Sequence, residues 1–230
     1  MKTKIEDLQK KIRHHFHNSE LLLSALTHPS FLNENKLERD SYQRLEFLGD
    51  AVLEFLASDF LFKHFSQIRE GRLTEIRAAL VRTENLAKVA LKLDLGSCLF
   101  ISKGEELNLG RVNVNILADT LEALIAAIYL DSTLESAKLF FNHFIKPELE
   151  EIISQKLYVD AKTKLQEYLQ AKYKTTPIYK LLSLNEKDNF DGFKIGVYLN
   201  SKLLASGLGK NKRLAEQQAA KNALGKINSL

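Results

Sequence analysis

Apolar side chains recur every three to four residues through the first two thirds of the chain, in segments 5–12, 20–26, 44–62, 73–91, 114–130 and 134–145. That spacing lines one face of a helix, whereas a strand alternates, and strand-like alternation is almost absent here. Gly71 and Gly96 interrupt the pattern, and Pro147 is placed to open a further helix at its first turn. The pattern predicts an all-α domain over 1–154, followed by a short connection over 155–160. The periodicity then changes. Residues 161–173 read as a helix, and β-type segments follow near 177–184, 190–200 and 202–208. Pro177 opens the first of them, the stretch 185–189 joins the first two, and Asn200-Ser201 marks a hairpin turn. Leu214 to Ile227 is Ala-rich and helical. Residues 161–230 therefore read as a second, α-β-β-β-α domain.

Two of the apolar helices carry paired carboxylates. Glu46 and Asp50 stand at i and i+4, and Asp119 and Glu122 at i and i+3. Either spacing puts both acids on one helix face. The surrounding segments are apolar nearly all round, which predicts that both helices are buried. Ionised carboxylates do not stay in such places without a partner. No nearby run of Lys or Arg supplies one, so a hard divalent cation held by oxygen ligands is the natural partner. A single acidic pair is as readily a solvated stripe, here extended by Glu54. Two pairs inside segments rich in Leu, Ile, Val and Phe favour the cation.

Charge divides the chain where the periodicity does. The net charge of +4 conceals 19 Lys and Arg against 23 Asp and Glu over 1–154, and 14 against 6 over 155–230. A small basic module joined to a slightly acidic one suggests a polyanion binder tethered to something else. No apolar run reaches the length of a membrane span, and Met1 to Asp7 lacks the features of a signal or transit peptide. The single Cys98 reads as a small buried residue, which fits a reducing cytoplasm. His14, His15 and His17 suit one helix face poorly and no Cys joins them, so a surface cluster is expected; His28 reads as structural. Neither a Ser/His/Asp set nor a glycine-rich phosphate loop is present.

The segment Gln43 to Leu53 resembles the signature of the ribonuclease III family, the double-stranded-RNA endonucleases. Thr27-His28-Pro29-Ser30-Phe31 resembles the loop before that signature, and Glu70 to Arg77 a second block. Gly104-Glu105-Glu106 resembles a third, and Asn115 to Asp131 a fourth. The second domain resembles the double-stranded-RNA-binding domain, with Lys162 to Glu167 like its first helix and Gly207 to Glu216 like the start of its last.

The resemblance implies a Mg²⁺-dependent endoribonuclease, with Mn²⁺ as a possible substitute, that hydrolyses double-stranded RNA to 5′-phosphate and 3′-hydroxyl ends with short 3′ overhangs. It implies that Glu46, Asp119 and Glu122 contact the metal, that Asp50 orients a water, and that Glu122 bridges metal and nucleophile. Glu70 matches an accessory acid, and is equally readable as an acid in an exposed turn. Gln43 departs from the Glu of many bacterial members and agrees with Dicer-type members; the exchange leaves the four core acids intact. Family members are homodimers, and Phe47 matches a position that inserts into the partner subunit; an ordinary core aromatic is the alternative. In the second domain, Thr163, Gln166 and Glu167 are expected at sugar hydroxyls and Lys210, Lys212 and Arg213 at phosphates, beside a helix N-terminus. The stretch 185–189 lacks the family's Gly-Pro-Asp-His, so contacts from it are not carried over. Processing of rRNA and mRNA is the implied role. The rival reading is an inactive RNA-binding or ribosome-associated protein on the same fold, against which retention of all four acids argues.

Overall fold

A computed structural model describes residues 2–35, 39–155, 157–185 and 192–228. The chain forms two compact units that divide between Tyr158 and Val159.

The first unit is helical. Its elements are α1 (Lys2–Ile12), α2 (Ser19–Ala25), α3 (Pro29–Asn35), α4 (Gln43–His64), α5 (Glu70–Leu80), α6 (Thr83–Lys92), α7 (Leu95–Cys98), α8 (Lys103–Leu107), α9 (Val114–Asp131), α10 (Leu134–Phe140) and α11 (Glu148–Ser154). A 3₁₀ turn at Gly110–Val112 precedes α9, and a π-helical turn at Phe141–Ile145 follows α10. The centre is α9, which buries Leu117, Leu121 and the whole run Ala123 to Ile128. Its start is fixed by Asn113, whose side chain accepts from the backbone N–H groups of Asn115 and Ile116. Around α9 pack α2, α4, α6 and α10. Along α4 the buried positions Leu45, Gly49, Val52, Leu53, Leu56, Ala57 and Leu61 repeat at helical spacing and form the stripe that meets α9.

Three local expectations are corrected. The run 73–91 is two helices, because Arg82 is extended and Asn85 Nδ2 donates to Leu80 O at 2.6 Å across the break; apolar spacing is the same on both sides of such a corner. Gly71 lies inside the first turn of α5 rather than ending a helix, and the break is at 65–69. Nor is α4 apolar and buried all round. Phe47, Phe55 and Phe62 are 83%, 54% and 77% exposed, so the described residues leave one side of the helix uncovered. The short helices α3, α7 and α8 are too brief to leave a periodic trace.

The second unit comprises α12 (Ala161–Tyr173), β1 (Ile178–Asn185), β2 (Gly192–Leu199), β3 (Lys202–Gly209) and α13 (Lys212–Asn228). The strands form an antiparallel sheet in sequence order, with Ile195 paired to Leu181 and to Gly207. Asn200 takes a left-handed conformation in the β2–β3 turn. The core joins Leu165 and Leu169 of α12, Val197 and Ala205 of the sheet, and Ala219, Ala220 and Ala223 of α13. The Ala-rich face lets α13 lie close on β3: a Cβ at Gly207 would stand 2.2 Å from the Ala219 nitrogen. Residues 186–191, with most of the 185–189 stretch, lie outside the described residues. Between the periodic segments, Leu157 and Tyr158 pack against the first core. Among the described residues no helix is long and apolar enough to cross a membrane.

Candidate metal centre and nucleic-acid interface

The two acidic pairs meet because α4 and α9 touch at a glycine. A Cβ built on Gly49 would lie 1.9 Å from the carbonyl oxygen of Glu122, a separation only glycine permits. Gly49 stands between Glu46 and Asp50 on α4, so the closest approach of the helices falls at the acids. Carboxylate oxygens of Glu46, Asp119 and Glu122 accordingly lie within 4.8 Å of one another, each residue half-buried. Asp50, one helical turn after Glu46, is exposed at the edge of the cluster.

This is an unfavourable place for negative charge. Burial pushes the Glu122 carboxyl up to about 8, reinforced by Asp50, Asp119 and Glu46. Burial also raises Glu46, with Asp119 and Asp50 adding to it. Asp119 is raised by burial and partly relieved by the Tyr42 phenol and the His28 ring. Among the described residues no Lys or Arg pairs with any of the three. Three crowded oxygen donors without a counter-charge fit a hard divalent cation.

Sequence reasoning missed Tyr42. Its ring is buried at the start of α4, and its hydroxyl donates to Asp119 Oδ2 at 3.4 Å, across 77 residues of chain. No local signal announces such a contact. The ring lies 5.6 Å from that of His28, whose imidazole is lowered by burial while Glu105 and Asp119 pull it upward.

Other candidates lie elsewhere. Gln43 is exposed and its Oε1 accepts from Ser41; with Phe47, Arg44, Leu48, Leu21, Ser24 and Leu130 it lines an open apolar groove. Phe47, at 83% exposure, is no core aromatic. Glu70 lines a different groove with Ser58, Phe62 and Arg77. Ser58 follows Glu46 by twelve residues, roughly 18 Å along the helix, so the cluster in this chain forms without Glu70. The histidine segment is more than a solvated surface. His14 Nε2 and His17 Nδ1 lie 3.0 and 3.4 Å from Asp131 Oδ2, a carboxylate only 1% exposed that also accepts from the backbone of His17 and Asn18. Those contacts pin the segment to the end of α9.

In the second unit, Asp160 caps α12 by accepting from the Thr163 N–H at 2.8 Å. Thr163 is half-buried, and Gln166 and Glu167 are exposed one turn later. At the start of α13, Asn211 accepts from the Leu214 N–H at 2.9 Å. Lys210, Lys212 and Arg213 around it are exposed, and the Lys212 ammonium lies 6.0 Å from the centre of the Phe193 ring. Cations cluster at this helix N-terminus, an arrangement suited to phosphate.

Comparison with known proteins adds two family matches. Residues 18–149 match the family described as Ribonuclease-III-like, and residues 161–227 the double-stranded RNA binding motif. The chain is 40% identical to Ribonuclease 3 of a Nitratiruptor species over 220 residues, covering 96% of this chain and 95% of that protein. It is also 40% identical to Ribonuclease 3 of Campylobacter fetus, covering 98% and 99%. Among solved structures it is similar to the nuclease domain of ribonuclease III from Campylobacter jejuni, described for flexibility in a region involved in dimer formation. That similarity has a TM-score of 0.58 at 40% identity and covers 62% of this chain and 96% of that one.

Proposed function

Since the chain belongs to the ribonuclease III family, we propose that it is a divalent-metal-dependent endoribonuclease that hydrolyses phosphodiesters of double-stranded RNA. The observation that carries this reading is the uncompensated cluster of Glu46, Asp119 and Glu122. Mg²⁺, with Mn²⁺ as substitute, fits those three oxygen donors. When bound it supplies positive charge for the non-bridging and leaving oxygens and lowers the pKa of water. The remaining work falls to the chain. Glu46, Asp119 and Glu122 hold the ion. Asp50, exposed beside them, would orient the attacking water by accepting its hydrogen bond, and Glu122, which feels the charges of Asp50, Asp119 and Glu46, would stand next to the nucleophile. Water attack leaves a 5′-phosphate and releases a 3′-hydroxyl.

The basic second unit supplies affinity for the duplex. Its reading of A-form RNA combines α12 side chains Thr163, Gln166 and Glu167 at sugar hydroxyls with Lys210, Lys212 and Arg213 at phosphates. Two cuts with short 3′ overhangs call for two sites. The exposed phenylalanines of α4 support a homodimer in which Phe47 enters the partner, with Glu70 and Gln43 as accessory groups. Maturation of rRNA and mRNA in the cytoplasm is the proposed setting.

The test is incubation of the full chain and its Glu122→Gln variant with long double-stranded RNA across a Mg²⁺ titration. Wild type should cut only with divalent metal. The variant should bind RNA normally while cleavage falls by orders of magnitude. Wild-type cleavage by Glu122→Gln at saturating Mg²⁺, or binding without cutting by the wild type at every metal concentration, would refute the proposal.

A further inference from the structure

Tyr42 is tied at three points around the metal centre. Its N–H donates to Thr27 O at 2.9 Å, its carbonyl accepts from the Glu46 N–H at 2.8 Å, and its hydroxyl donates to Asp119 Oδ2 at 3.4 Å. The first bond anchors it to the loop ahead of α3. The second makes it the residue from which the first turn of α4, bearing Glu46, is hung. The third reaches across to α9. At 4% exposure the phenol has no access to solvent worth the name, and Asp119 is its one described hydrogen-bond partner.

A second chain of bonds holds the ring from behind. The Ser30 N–H donates to His28 Nδ1 at 3.1 Å, so that nitrogen is an acceptor and the neutral ring carries its proton on Nε2. Ser30 Oγ lies 2.7 Å from the same Nδ1 and itself accepts from the Ser102 N–H at 3.1 Å. Ser102 Oγ in turn caps α8 by accepting from the Glu105 N–H at 3.0 Å. The His28 ring, fixed by this relay, packs against the Tyr42 ring.

The chemistry of the donor matters. A Lys or Arg at this place would neutralise the cluster and compete with an incoming cation. A phenol orients one carboxylate oxygen, leaves the site's negative charge for the metal, and lacks a charge of its own.

From this geometry we infer that Tyr42 is a positioning residue of the metal centre: its hydroxyl holds the Asp119 carboxylate in register with Glu46 and Glu122, with His28, Ser30 and Ser102 bracing its ring. The inference rests on reading the acidic cluster as a divalent-metal site. Partners of this kind, once removed, typically cost about 10–100-fold in metal affinity.

The test uses the full chain as wild type, Tyr42→Phe and Asp119→Asn. Tyr42→Phe keeps the ring against His28 and deletes only the hydroxyl. Mn²⁺ binding is measured by electron paramagnetic resonance without RNA, and single-turnover cleavage across a Mg²⁺ titration. The expected result is Mn²⁺ affinity weakened roughly tenfold or more in Tyr42→Phe, with the Mg²⁺ midpoint for cleavage moved by a similar factor. The rate at saturating Mg²⁺ should stay within a few-fold of wild type. A merely structural role would lower the melting temperature and leave metal affinity alone. Unchanged Mn²⁺ affinity and Mg²⁺ midpoint in Tyr42→Phe, while Asp119→Asn loses Mn²⁺, would overturn the role of Tyr42 and leave the metal site standing. No Mn²⁺ binding by wild type, or none lost in Asp119→Asn, would overturn the metal site and this inference with it.

Discussion

Substituting Gly49 by Ala should damage stability and metal binding together. The added Cβ would meet Glu122 O at 1.9 Å, where about 3.4 Å is an ordinary contact. The obstacle is backbone, at the tightest point between α4 and α9, so no side-chain rotation removes it. The helices must separate by something near the missing 1.5 Å. Overpacking of this kind costs about 1–3 kcal/mol, and the better helix propensity of Ala returns about 0.5–1 kcal/mol. A net loss of about 1–2 kcal/mol should lower the melting temperature by roughly 2–8 °C for a chain of this size. The same movement carries Glu46 away from Asp119 and Glu122, and a misplacement near 1 Å in a catalytic site can cost about a hundredfold in rate. Thermal unfolding followed by circular dichroism, Mn²⁺ binding and single-turnover cleavage measure the three effects. Gly71→Ala is the internal control: that glycine is also in a helix, but its Cβ would meet nothing within 4 Å, so the variant should be as stable as wild type or slightly more. If Gly49→Ala matched Gly71→Ala in stability and cut RNA at the wild-type rate, the argument that this contact assembles the site would be wrong.

The remaining predictions concern charge. Between the ordinary Glu range near 4.5 and its folded value of about 8, Glu122 holds a proton in the metal-free folded chain that the unfolded chain has lost. Its contribution to stability is therefore full below that window and lost as pH rises through it. Melting temperatures in EDTA should fall from pH 5 to 8 by more in wild type than in Glu122→Gln, and the stabilisation by Mg²⁺ should grow over the same range; parallel profiles for the two proteins would count against the coupling. Replacing Lys210, Lys212 and Arg213 together by Ala should weaken duplex binding and reduce the slope of log affinity against log salt by roughly 2–3, measured by filter binding from low to physiological salt. An unchanged slope would remove this helix end from the interface.

What was legible in the residues was what the backbone decides locally. Periods of three to four against two separate a helical unit from an α-β-β-β-α one, and the i, i+4 and i, i+3 spacings put each acidic pair on one face. The ordered blocks around Gln43–Leu53 and Asn115–Asp131 carried the family resemblance. Only packing decides which faces meet. The juxtaposition of the pairs depends on a contact between Gly49 on α4 and Glu122 on α9, far apart in sequence, and nothing local marks Gly49 as its point of contact. The bonds from Tyr42 to Asp119 and from His14 to Asp131 span 77 and 117 residues, beyond any helical period. The apolar surface of α4 also required the fold: Phe47 was readable as a partner contact or as a core aromatic, and with Phe55 and Phe62 it proves exposed among the described residues. Periodicity records which side chains share a face of their own helix. It carries no information on what lies opposite, because that is settled by the mutual fit of whole elements across the core.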